Sequence, residues 1–125
     1  MESFNKEYAV GTFLIVKPPP DADAPRGWWC AQLKSDAFVG EDGYATIRVL
    51  WYTWVAGKEY FKPWAVRGSR QGWELLHCAA VQDPVRMAKK GTGFRVAANN
   101  TTKVACWKAK FAEERERGSR RVGRQ

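Results

Sequence analysis

The residues that could act on a bond are few. His77 is the only histidine and Cys78 follows it directly, so any Cys or Ser nucleophile would have to use that one imidazole as its base. The run around it, Trp73 to Gln82, is apolar, and a histidine there reads as structural. Cysteines stand at 30, 78 and 106. An odd number without Cys-x-x-Cys spacing supplies neither a closed disulfide framework nor a zinc clip, and points to a reducing compartment. Gly91-Thr92-Gly93 lacks the remaining glycine of a dinucleotide fingerprint, and no G-x-x-x-x-G-K-[ST] phosphate loop occurs. The acidic pairs Asp21/Asp23 and Glu41/Asp42 fall in expected loops, where solvated turn residues are a simpler reading than a cation site. The expectation is a protein that is not an enzyme and needs no metal or cofactor.

The informative side chains are aromatic: 7 Trp, 6 Phe and 4 Tyr in 125 residues, too many for a disordered chain. Trp28 and Trp29 are adjacent on one expected strand and must point to opposite faces, as must Trp51 and Tyr52. With Trp51 inward beside Ile47 and Val49, Tyr52 and Trp54 are left outward together, near the turn that leads to Tyr60. Rings spaced in this way can line a pocket for a methylammonium group, at roughly 0.5 to 2 kcal/mol per contact. They could equally stack nucleic-acid bases, at about 1 to 3 kcal/mol each. The competing reading is that a small barrel capped by a helix needs these large side chains as core, with Trp107 and Phe111 covering them.

The elements that would position them follow from pattern. Thr12 to Lys17 is β-rich and stops at Pro18-Pro19-Pro20, where ladder donors are missing. After the turn-forming loop 18–27, strands are expected at Trp28 to Lys34 and Ala45 to Trp54. Tyr60 to Val66 returns the chain as an edge or bulged strand because of Pro63. Trp73 to Gln82 reads as one buried strand closed by Asp83-Pro84, although Leu75, Leu76, Ala79 and Ala80 could also sit on one helical turn; Val85 to Ala98 is ambiguous, and Gly93 to Ala97 is a candidate last strand. Asn99 to Thr102 is a cluster of N-cap residues ahead of Val104, Trp107, Lys108 and Phe111 at helical spacing. The fold class expected is mainly β: a small SH3-like antiparallel barrel over residues 1–98, one C-terminal α-helix over 99–117 packed on it, and a basic tail over 118–125.

Charge separates along the chain. The net charge is +8, of which residues 1–102 carry +3 and residues 103–125 carry +5. The candidate nucleic-acid contacts are Arg67 and Arg70 in a basic loop, Lys89 and Lys90 before Gly91, and Lys108, Arg115, Arg117, Arg120, Arg121 and Arg124 on the helix and tail. They would bind DNA or RNA backbone nonspecifically and with steep salt dependence. No zinc-finger, helix-turn-helix or RNP-type signature accompanies them. No apolar run approaches the roughly 18 residues of a membrane span, so no membrane partner is expected.

The order Gly11-Thr12-Phe13-Leu14-Ile15-Val16-Lys17-Pro18, then Trp29-Cys30-Ala31-Gln32-Leu33 and Lys34, then Ile47-Arg48-Val49-Leu50-Trp51-Tyr52, resembles the opening strands of bromo-adjacent homology (BAH) and Tudor-like chromatin domains. The resemblance covers about residues 10–82. It implies a nuclear, chromatin-associated module, with cytoplasmic placement as the alternative. Its partner would be a histone tail or another peptide with methyl-lysine as the candidate mark, and Tyr52, Trp54 and Tyr60 would be the cage positions. The chain is shorter than most BAH domains, and that family's later strands and helical insertions find no counterpart after Val81. The rival expectation is a nucleic-acid-binding SH3-like barrel of a mobile-element or ribonucleoprotein assembly.

Overall fold

A computed structural model describes residues 1–19, 27–55, 60–64, 72–91 and 93–123, with side chains through Arg117. Arg67 and Arg70 lie outside the described residues. So do Arg124 and the side chains of Arg120 and Arg121.

A short helix, α1 (Glu2–Glu7), precedes β1 (Phe13–Val16), β2 (Trp29–Leu33), β3 (Phe38–Val39) and the ten-residue β4 (Ala45–Trp54). Then come β5 (Phe61–Pro63), β6 (Trp73–His77), a 3-10 turn (Cys78–Ala80), β7 (Val81–Val85), β8 (Met87–Lys90), β9 (Gly93–Val96) and α2 (Thr101–Gly123). Every pairing is antiparallel. The fold is therefore mainly antiparallel β with one long C-terminal helix, as the sequence pattern predicts. The barrel is loose, because the order β7-β1-β2-β4-β5-β9-β8 runs from one edge to another without closing.

The sheet buries both faces, which is why β1 is buried at all four positions. Phe-Leu-Ile-Val alternates across it. Leu14 and Val16 join Ala31, Leu33, Ile47, Val49 and Trp51 in one core, against Tyr8 and the partly buried Phe4, Leu76 and Cys78. Phe13 and Ile15 join Trp28, Cys30, Phe61, Val85 and Phe111 in the other, with Val104, Trp107, Phe94 and Tyr52 packed against them. Burying each Leu, Ile, Val or Phe contributes roughly 1.5 to 3 kcal/mol, so the two faces share the hydrophobic stabilisation.

Two departures from pattern have topological causes. Trp73 to Gln82 is not one strand: β6 pairs with β4 and β7 pairs with β1, and the turn at Cys78–Ala80 carries the chain between these separate partners. Asp83 and Pro84 lie inside β7, at the end of the sheet path, where an edge strand tolerates a missing N–H. The helix docks as its spacing predicts, through Val104, Trp107 and Phe111. Trp107 Nε1 donates to Asp83 Oδ2 at 2.8 Å, and Lys17 pairs with Glu114. Its backbone continues through 118–123 as helix rather than giving way to a tail at 118.

Candidate functional site

The middle strand β4 shows how the site is assembled. Its odd-numbered residues Ile47, Val49 and Trp51 face the first core, while Tyr52 and Trp54 face the second. The first core is covered at one end by Phe4 and Tyr8, and by Leu76, Cys78 and Ala80 as the chain leaves β6. Leu76 and Ala80 also line a groove of about 700 Å³, together with Val16, Lys17, Trp29, Trp51, Thr53, Trp64 and Glu74 and with Trp28, Tyr52, Trp54 and Phe61 from the second core.

Three features define this groove. Trp29 and Trp51, neighbours across the β2–β4 ladder, meet edge to face with centroids 5.6 Å apart and planes at 75°, so two indoles form a corner. Trp51 Nε1 donates to Glu74 Oε2 at 2.5 Å, which places a carboxylate at that corner. Trp64, 45% exposed, lines the groove just beyond β5. Ring faces carry negative electrostatic potential, and a corner of them beside a carboxylate attracts a cation that is itself poorly hydrated.

Both backbone groups of Trp51 are held along one edge of β4. Its N–H donates to the Gly72 carbonyl and its carbonyl accepts from Trp64 N–H, each at 2.8 Å. Two segments therefore converge on one residue. A Cβ at position 72 would lie 1.9 Å from the Trp64 carbonyl oxygen, so only glycine permits this approach.

The residues singled out by the sequence divide. Tyr52 and Trp54 reach the groove lining, yet both rings are chiefly second-core packing. Tyr52 sits edge-on to Phe13 at 5.0 Å and Phe94 at 5.9 Å, and burial pushes its phenol pKa up. Trp54 packs edge-on to Phe61 at 5.1 Å. The Tyr60 ring lies beside the backbone of Gly93. The sequence pattern assigns none of Trp29, Trp51, Trp64 and Glu74 to a site. Alternation alone placed Trp51 in the core, and it is both core and groove floor. The available signal was the adjacent Trp28-Trp29 pair, which requires one indole on each face.

The basic candidates are dispersed. Lys89 and Lys90 are exposed at the end of β8. Lys108 is exposed on α2, with its aliphatic stem against Gly27. Arg117 pairs with Glu113 one helical turn earlier, and Arg115 is half-buried and engaged in an interaction. On the same helix Lys110 covers the Trp107 ring at 4.7 Å, and Lys103 lies 3.6 Å from Asp83.

The catalytic candidates are also placed. His77 Nε2 lies 2.5 Å from Asp42 Oδ2 on the surface. Cys78 is half-buried under the first core, and burial pushes its thiol pKa up, which disfavours the thiolate nucleophile. Among the described residues, no helix is long and apolar enough to cross a membrane and no group of three His, Cys, Asp or Glu side chains is placed to hold a metal. No protein-family model, curated protein or solved structure matches the chain.

Proposed function

We propose that the chain is a non-catalytic binding module whose groove takes the methylated ammonium of a lysine on a histone tail or similar peptide, within a nuclear, chromatin-associated role. The observation that carries this reading is the Trp29–Trp51 corner with the Glu74 carboxylate hydrogen-bonded to its indole. A trimethylammonium group has a soft, weakly hydrated charge. Each ring it touches contributes roughly 0.5 to 2 kcal/mol, and the carboxylate adds a Coulombic attraction. The basic C-terminal segment adds nonspecific affinity for nucleic-acid backbone.

The test is a titration of the purified protein with unmodified and mono-, di- and trimethylated histone-tail peptides at physiological salt, read by tryptophan fluorescence. Saturable binding that strengthens with methylation is the expected result. Equal binding of all methylation states would remove the cation role of the groove. Tight, salt-sensitive binding of single-stranded or duplex nucleic acid without any peptide binding would move the function to the basic surface.

A further inference from the structure

The long strand β4 has neighbours on both edges, and its backbone groups alternate between them. Toward β2, the Arg48 carbonyl accepts from Lys34 N–H at 2.8 Å; toward β6, Trp51 N–H donates to the Gly72 carbonyl at 2.8 Å. Backbone groups along an antiparallel strand alternate direction with period two, so Ile47 and Val49 also point to β6. Their register partners are Leu76 and Glu74. These two residues therefore turn their backbone groups to β4, while Trp73 and Leu75 between them turn theirs the other way. Among the described residues β6 pairs with β4 alone, and Trp73 and Leu75 are 45% and 54% exposed.

Outward N–H and C=O groups at strand spacing are a template for one more strand. The occupant is indicated by what lies beside this edge. Glu74 and Leu76, on the same strand, line the aromatic groove, whereas Trp73 and Leu75 project from the opposite face. A strand added about 4.8 Å away would send alternate side chains to those two faces. One set would meet the groove and its carboxylate, and the other the exposed apolar side chains.

We infer that the partner peptide binds as an extended strand on the open edge of β6, with its cationic side chain entering the groove beside Glu74 and Trp51. This rests on the reading of the groove as a cation site. Main-chain bonds would supply affinity without sequence, and the two faces would supply selectivity. A peptide with the cation flanked by small or apolar residues at alternate positions fits best.

Two probes separate the edge from the groove. Tetramethylammonium chloride tests the groove alone. A nine-residue peptide of alternating threonine and alanine with a central trimethyllysine tests groove and edge together. The expected results are peptide binding at least tenfold tighter than that of tetramethylammonium and slowed exchange of the Leu75 amide. N-methylating the peptide's backbone at alternate positions should weaken binding at least tenfold in one phase and leave it nearly unchanged in the other. Leu75→Pro removes an outward N–H without touching the β4 ladder, a position where edge strands accept proline. It should weaken the peptide at least tenfold and leave tetramethylammonium unchanged. If that variant fails to fold, the N-methylated peptides on the unaltered protein decide. Tetramethylammonium binding together with indifference to N-methylation in both phases would overturn the edge and leave the groove standing. Failure of both probes would remove the groove reading and this inference with it. A dimer in sedimentation without peptide, lost in Leu75→Pro, would assign the edge to a second copy of the chain and overturn the inference.

Discussion

The Trp51 indole donates to the Glu74 carboxylate at 2.5 Å across a diagonal of the β4–β6 ladder, since the register partner of Glu74 is Val49. Diagonal neighbours on one face of a sheet are within reach only of long or aromatic side chains. The bond thus fixes the indole and brings the carboxylate to the rim of the groove in one contact. Replacing Glu74 separates the two roles. Glu74→Gln retains an oxygen acceptor for the indole but removes the charge, so melting temperature should stay within about 2 °C while affinity for a trimethyllysine peptide falls about tenfold, roughly 1.4 kcal/mol. Glu74→Ala should lower both. Fluorescence titration and thermal melts on the two variants measure this; an unchanged affinity in Glu74→Gln would mean that the charge takes no part in binding.

Gly72 permits the convergence of two segments on Trp51. The nearest atom to an added Cβ is a backbone carbonyl oxygen at 1.9 Å, and backbone cannot swing aside as the end of a flexible side chain can. Gly72→Ala must therefore displace the Trp64 segment, the Trp73 strand or both, at about 1 to 3 kcal/mol. The expected result is a destabilised protein whose second core is intact but whose groove is misshapen. Urea denaturation would give the loss of stability, and amide chemical shifts would show changes centred on Trp51, Trp64 and Trp73. Shifts spread evenly over α2 and β9 would contradict the local account.

The helix is attached through a buried ring and a polar clamp. Phe111 is 2% exposed in the second core, and its truncation to Ala should cost about 3 to 5 kcal/mol. Trp107→Phe keeps most of the apolar contact but loses the bond to Asp83. That carboxylate retains Lys103 at 3.6 Å and remains partly exposed, so the loss should be only about 1 kcal/mol. Equilibrium unfolding in urea distinguishes the two, and equal losses would show that the hydrogen bond, rather than the ring, attaches the helix.

The regular parts of this fold were legible because their patterns are local. The alternation in Phe13–Val16 and Ala45–Trp54, the proline stop after Lys17 and the helical spacing of Val104, Trp107 and Phe111 each specify an element without reference to the rest of the chain. What was not legible depends on distant partners. The break at Cys78–Ala80 exists because β6 and β7 join different strands, and nothing in the apolar run Leu75 to Val81 records that change. β8, of four residues, and α1, of six, are too short for a periodic signal to specify them. The groove shows the same limit. Alternation correctly put Tyr52 and Trp54 on one face and Trp51 on the other. Which rings reach a ligand depends on the covering layer: α2 packs over the second core, while among the described residues the groove takes its lining from Trp29 and Trp51 on one face and from Tyr52 and Trp54 on the other.

The turn between β3 and β4 presents a carboxylate to the far end of β6, and its titration should be visible. Asp42 Oδ1 accepts from Tyr44 N–H at 3.0 Å and Oδ2 lies 2.5 Å from His77. These contacts hold the Asp42 carboxyl below the usual carboxylate range, the backbone N–H of Tyr44 being the larger cause and the His77 side chain the next. A depressed folded-state pKa means that the charged form favours the folded state. The contribution is then fully present above the unfolded value near 3.9 and is lost as pH falls through the lower folded value. NMR titration of the Asp42 carboxyl carbon should give a midpoint below the ordinary range, and His77→Ala should restore only part of the difference because the Tyr44 amide remains. The stability gap between the wild type and Asp42→Asn should close as pH drops below about 4. A midpoint fully restored by His77→Ala would make the imidazole the main partner, and the turn amide would then have no share in holding the carboxylate ionised.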